Sequence, residues 1–489
     1  MRTLKLYLSF LIALLPLLQI RAHTLPRLTV VVVVDGMDVT NLQRLRPYWA
    51  PGGFRTIMEK GASGMCRYEH LVYGGDETTA TLMTGTLPAS HGYSMSAYFS
   101  RSDRATHSTL EDLQAKGIGT SLRISPRSIN TPTLTDMIRL RYGQHAQLYA
   151  IGIHPETTVL MAGHSANGCC WIEAAQNRWS TTSFYSQGLP GAADDHNSNG
   201  RFREIASQIW RPSMPLDLYS SPTAQELKKG FSYSGAATLD RSPVANELVV
   251  DLALRLQEAK RLGEDQVPDM LLLELTTTTP AAVSDRIQTA EQEDIYLRLN
   301  EQLGTLIQTL RSRLGNSNVD FLLVGRPIYG IGETAMQQAK LQVQSFDCDR
   351  MAALTSTYLM ALYGSERWVD GAYGQALFLN RSLISQKRLS LQEIQRRAAE
   401  FVSEFEGVRA AFPQNELLYS DLRHSLSKRH QGDVCFELER QWVVKEDSRR
   451  ALDLVVEASP QSPVFILSQY SPRLPEQIRA EEFLSLFGL

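Results

Sequence analysis

The run from Leu28 to Val34, with valine at every position from Val31 to Val34, ends abruptly at Asp35-Gly36. Branching at Cβ stiffens these side chains and suits them to a pleated strand rather than a helix. The run also lacks polar alternation, so neither face of such a strand can meet water. A strand buried on both faces belongs in the middle of a sheet that is covered by helices on both sides, the usual setting of parallel strands.

The rest of the chain repeats that pattern. Helices are predicted over Pro51–Lys60, stopped by Gly61, over Glu77–Met83, over Asn246–Leu262 and over Ile295–Leu314, from apolar residues at helical spacing. Short apolar strands are predicted at Gln147–Ile153, Met270–Leu275 and Val319–Val324. Alternation of this kind gives an α/β fold with a mostly parallel central sheet and helices on both faces. Chemistry in such folds gathers at the carboxyl ends of the strands. Two stretches break the alternation: residues 177–239 are rich in Ser, Pro, Gly and Asn, and residues 368–428 are charged and helical. Both read as cap insertions in a domain spanning residues 23–489, after which the sheet is expected to resume with Val434–Leu438 and Val464–Leu467.

A formal charge of -3 over 489 residues gives no basic field for nucleic acid. Arg2 and Lys5 precede an apolar stretch, Leu6 to Leu18, with Ala22 near a plausible cleavage point. Residues 1–22 therefore read as an export signal, and the mature protein is expected to be periplasmic or secreted, without a transmembrane segment. In that oxidising setting one or two disulfides are open to Cys66, Cys169, Cys170, Cys348 and Cys435. The adjacent Cys169-Cys170 lacks a second Cys or His pair at zinc-site spacing, which favours a disulfide or buried thiols over a metal site.

Asp35-Gly36-Met37 is followed by Thr84-Gly85-Thr86-Leu87-Pro88 and His91-Gly92. Gly152-Ile153, Ala162-Gly163-His164, Asn167-Gly168 and Trp171 come next, and the series continues through Leu239–Gly263, Glu293–Leu299 and Gly432-Asp433-Val434. In this ordered series the chain resembles the alkaline phosphatase superfamily, in particular its secreted bacterial phosphomonoesterases and the related nucleotide pyrophosphatase/phosphodiesterases. The resemblance implies the superfamily's sheet and a site in which two zinc ions, held by Asp and His, clamp an in-line displacement at phosphorus. It also implies a Ser or Thr nucleophile.

Carried over residue by residue, most of that site is missing. Asp35 matches the first metal ligand and is the one ligand retained. The nucleophile position is Gly75, which has no hydroxyl. The Asp and His of the next ligand pair fall on Thr279 and Val283, and the adjacent Asp-His pair falls on Arg326-Pro327. The phosphate-binding Asn falls on Ser96, and the Lys and Arg fall on His154 and Glu156. No histidine occurs between His196 and His424, so a shifted register cannot restore the missing ligands.

These substitutions predict a secreted alkaline-phosphatase-like pseudoenzyme with no resident metal, serving as a binding or assembly component whose partner is an envelope protein or polymer. An alternative is an active phosphomonoesterase or phosphodiesterase in which Asp35 is joined by Glu77, Glu274 or Asp285 around a divalent ion. A third is an anion sensor built from Arg326 and Thr276–Thr279. Isolated or structurally satisfied roles are expected for His154 and His164, and an ion pair to Glu77 or Glu156 is the plain role open to Arg326. The buried Asp35 carboxylate needs a counter-charge, however, and Arg326 is the best candidate to supply it. Asp35, Gly75, Thr279 and Arg326 are accordingly expected to converge at one sheet edge.

Overall fold

The computed structural model describes residues 25–219, 230–280, 289–327, 344–420, 422–439, 442–445, 457–458, 460–469 and 474–489. The export segment at residues 1–22, Val283 and Asp285 lie outside the described residues, as do residues 220–229 of the first expected insertion.

Ten strands form the main sheet: β1 (Leu28–Asp35), β2 (Ala62–Arg67), β3 (Gly117–Ile118), β4 (Leu148–Gly152), β5 (Gly168–Glu173), β6 (Arg178–Thr182), β7 (Asp269–Thr276), β8 (Val319–Arg326), β9 (Gln461–Leu467) and β10 (Gln477–Arg479). Their spatial order is β10-β2-β9-β8-β1-β7-β4-β5-β6-β3. The centre, β8-β1-β7-β4-β5, is parallel, while β9 and β6 join it antiparallel on either side.

The valine run explains itself in this setting. Val30, Val32 and Val34 pack into one apolar cluster with α3 (Pro243–Lys260) and α4 (Ala290–Leu314), and Val31 and Val33 pack into another beneath α1 (Asp76–Thr84) and α2 (Pro155–Ala162). Strand side chains alternate between faces, so a strand covered on both sides must be apolar at every position. Helix α4 starts five residues before the expected Ile295 because the Thr289 side chain accepts the Gln292 N–H at 3.1 Å and caps the first turn.

The expected insertions need correction. Arg178–Thr182, placed in the first of them, is strand β6 of the main sheet. Val434–Leu438 does not resume the main sheet. It is the third strand of a separate four-stranded sheet, beside Ala376–Leu379 and Val408–Pro413, with Val369–Tyr373 at the edge. That sheet has its own apolar core, including Met351, Trp368, Ile394 and Phe436. The buried Asp433 carboxylate ties the unit to the hairpin Ala97–Ser100/Ala105–Ser108, accepting from Leu379 N, Arg101 Nη1 and Arg381 Nε at 2.7 Å and from Gln395 Nε2 at 3.0 Å. All five cysteines are buried free thiols, so the disulfides left open by the sequence do not form. Among the described residues no helix is long and apolar enough to cross a membrane.

Candidate functional site: a buried guanidinium at the carboxyl edge

Asp35 is the last residue of β1, and its in-register neighbours are Thr276 on β7 and Arg326 on β8. Residues directly opposite in adjacent strands project to the same side, so the register alone brings Asp35 and Arg326 together. The Arg326 Nε and Nη2 groups donate to the two oxygens of Asp35, a forked pairing for which guanidinium and carboxylate are matched in shape. Nη1 donates to Asp76 Oδ1 and, at 2.8 Å, to Thr157 Oγ1, and Thr157 donates in turn to Asp76 at 2.7 Å. Asp35 is fully buried and Arg326 is 4% exposed.

A second pair lies alongside. Glu274 on β7 accepts the backbone N–H of Ile153 at 2.8 Å and of His154 at 2.9 Å through Oε2. Its Oε1 accepts from His154 Nδ1 at 2.8 Å and lies 3.8 Å from Arg326 Nη2. His154 Nδ1 is also 3.6 Å from Asp35. Burial weighs against charge on the imidazole, but Glu274 and then Asp35 outweigh it and raise His154 to about 9. Burial likewise opposes the Glu274 carboxylate, yet His154 and Arg326 hold it below its ordinary range. Burial pushes the Asp35 carboxyl up to about 6 against the pull of Arg326.

Gly75 precedes α1 with φ near +97°, a conformation that L side chains rarely adopt. A Cβ there would lie 3.0 Å from the Pro327 carbonyl oxygen and 3.8 Å from Arg326 Nε. Asp35, Gly75, Arg326 and Pro327 thus meet at one point, joined by His154. Thr279 is buried after β7, where Thr277 donates to the Asp35 carbonyl at 2.8 Å and Thr276 and Thr278 bond each other at 2.6 Å. Ser96 is exposed beside the hairpin, its carbonyl accepting from Thr109, and among the described residues no hydrogen bond joins it to the cluster.

Several expectations change here. Arg326 pairs with Asp35 and Asp76, not with Glu77 or Glu156. Glu77 turns away and accepts the N–H groups of Tyr73 and Gly74. His154 belongs to the network, whereas His164 is satisfied elsewhere by Asp136 at 2.7 Å. The guanidinium's bonds are all directed at protein groups, which leaves it unsuited to an anion. Asp76, Thr157 and Tyr93 were not singled out from sequence. Asp76 had a signal, since it follows Gly75 and opens a helix at the same sheet edge.

Asp35, His154 and Glu274 offer ligand atoms within 4.8 Å of one another. These residues do not fit the two-zinc centre of the superfamily. Both Asp35 oxygens receive Arg326, and both Glu274 oxygens receive His154 and neighbouring N–H groups, so the donor set is closed by a fixed cation.

No family profile matches the sequence. Over 451 residues the chain is 23% identical to a protein of Myroides odoratus named calcium-transporting ATPase, covering 85% of this chain and 82% of that one. It is 21% identical over 395 residues to alkaline phosphatase PafA of Elizabethkingia meningoseptica, covering 76% and 72%. A solved structure of alkaline phosphatase PafA superposes with a TM-score of 0.81 at 18% identity, over 95% of this chain and 96% of that one. The fold is therefore that of the alkaline phosphatase superfamily, and the chain has homologues named as alkaline phosphatases.

Proposed function

We propose that this protein is an extracytoplasmic, alkaline-phosphatase-like pseudoenzyme: it keeps the superfamily's sheet and cap, performs no phosphoryl transfer, and serves as a binding component of the cell envelope. The observation that carries this reading is the Arg326 guanidinium bridging Asp35 and Asp76. An arginine stays protonated under all physiological conditions, so its charge there is permanent. Supporting it, the nucleophile position is a glycine pressed against Pro327, and an acidic residue, Glu156, stands where a phosphate-binding cation is expected. An envelope role accords with the export-like N-terminus.

The test is turnover of p-nitrophenyl phosphate and bis-p-nitrophenyl phosphate by purified mature protein, with and without added zinc. No turnover above buffer is expected in either case. Zinc-dependent turnover that disappears in Asp35→Ala would overturn the reading.

A further inference from the structure

Away from the sheet edge, a cavity of about 880 Å³ opens between the hairpin Ala97–Ser100/Ala105–Ser108 and the four-stranded sheet, and none of Asp35, Gly75, His154 or Arg326 lines it. Its size is that of pockets which hold small organic ligands. One wall is the hairpin, a second is the helix Cys348–Tyr363, and a third is Val369–Tyr373, the edge strand of its sheet. Hairpin and edge strand press together where Gly371 lacks a side chain: a Cβ there would lie 2.7 Å from the Phe99 ring.

Two guanidinium groups of the lining meet at Asp370, which is 8% exposed. Arg104 Nε lies 2.8 Å from Asp370 Oδ1. Arg367 donates from Nη2 to the Asp370 carbonyl at 2.8 Å and from Nε to the Val369 carbonyl at 3.0 Å. These two bonds hold the Arg367 group against the strand by one edge. Its other edge, formed by Nη1 and the second N–H of Nη2, keeps the parallel donors that receive a carboxylate. Among the described residues no carboxylate lies within ion-pair distance of Arg367. Arg104, for its part, has φ near +55°, the left-handed region where glycine is the cheaper residue, so the guanidinium is kept at Asp370 against a backbone cost.

We propose that this cavity binds a small organic carboxylate with an apolar body, its carboxylate seated on Arg367 and Arg104. The inference uses no residue of the sheet edge and so stands apart from the non-catalytic reading. Phe99, Ala352, Val369 and Val444 supply apolar lining for the body. The two guanidiniums less the Asp370 carboxylate leave one positive charge, which a monoanion balances. A phosphate-type dianion exceeds it and meets Asp349, in the first turn of the helix wall. An ammonium meets like charge at the arginines.

The experiment is calorimetric titration of full mature protein with hydrocinnamate, hydrocinnamyl alcohol, phenethylamine and the phenethylphosphonate dianion. Hydrocinnamate should bind saturably at one site, and the other three should bind about tenfold or more weakly, the loss expected when a hydrogen bond to a charged group is missing. Arg367→Gln should weaken hydrocinnamate by about tenfold or more. Arg367→Lys, which keeps the charge and loses the fork, should recover only part of that affinity. Ala353→Trp puts a large ring on an exposed residue of the lining, so it should block binding with the melting temperature unchanged, and it carries the test if Arg367→Gln fails to fold.

No saturable hydrocinnamate binding, equal binding of the alcohol, tighter binding of the phosphonate or the amine, or unaltered affinity in folded Arg367→Gln or in Ala353→Trp would overturn the proposal. Phosphate-ester turnover, present or absent, bears on the sheet edge alone.

Discussion

Arg326→Ala removes the positive group that faces the wholly buried Asp35 and the partly exposed Asp76. Asp35 is wholly buried, and its remaining cation is His154 at 3.6 Å, already engaged by Glu274 at 2.8 Å. Breaking a buried pair from one side costs about 3–5 kcal/mol, because the surviving charge stays buried without its partner. With a urea m-value of about 3 kcal/mol/M, that loss lowers the unfolding midpoint by about 1–1.7 M. The sign of its pH dependence follows from Asp35. Without the guanidinium, burial raises the folded carboxyl further above its unfolded value of 3.8, so the penalty grows as pH rises and the variant's deficit is larger at pH 8 than at pH 5. Adding Asp35→Ala removes the stranded carboxylate and should recover about 1–3 kcal/mol. Urea unfolding of the two single variants and the double variant, followed by circular dichroism, measures all three quantities. A loss below about 1 kcal/mol for Arg326→Ala, or strictly additive effects, would show that the pair is not the counter-charge arrangement described.

Gly75→Thr places a hydroxyl at the position that the resemblance assigns to the nucleophile but forces an L side chain into a left-handed conformation against Pro327 O, so it should destabilise by about 1–2 kcal/mol by urea unfolding and give no phosphatase activity. His154 is raised from 6.5 to about 9, so its stabilising contribution is fully present below pH 6.5 and fades as pH rises through about 9; His154→Gln should lack that alkaline component in melting temperatures recorded from pH 6 to 10. All five thiols should alkylate only after unfolding, as read by mass spectrometry, and a reductant should leave the melting temperature unchanged.

The sheet was legible because its central strands are covered on both faces and therefore carry an unbroken apolar signal. The same signal misassigned Val434–Leu438: five consecutive residues of a strand do not say which sheet they join, and here the partner strands Ala376–Leu379 and Val408–Pro413 belong to the separate four-stranded sheet. The pairing of Asp35 with Arg326 was legible too, because both end strands of one parallel set and an enclosed carboxylate demands a cation. Asp76 was harder to see. Glu77 draws attention as the next carboxylate, but its longer side chain folds back onto the N–H groups of Tyr73 and Gly74, and the shorter Asp76 reaches the guanidinium. His154 looked isolated in sequence because its partner, Glu274, stands 120 residues away on the neighbouring strand.

Zinc content decides between a fixed guanidinium and a metal centre at Asp35. Mature protein purified in zinc-supplemented medium and dialysed against metal-free buffer should retain well below one equivalent of zinc by elemental analysis, and Asp35→Ala should retain no less. Two tightly held equivalents, lost in Asp35→Ala, would contradict the replacement of the metals by Arg326.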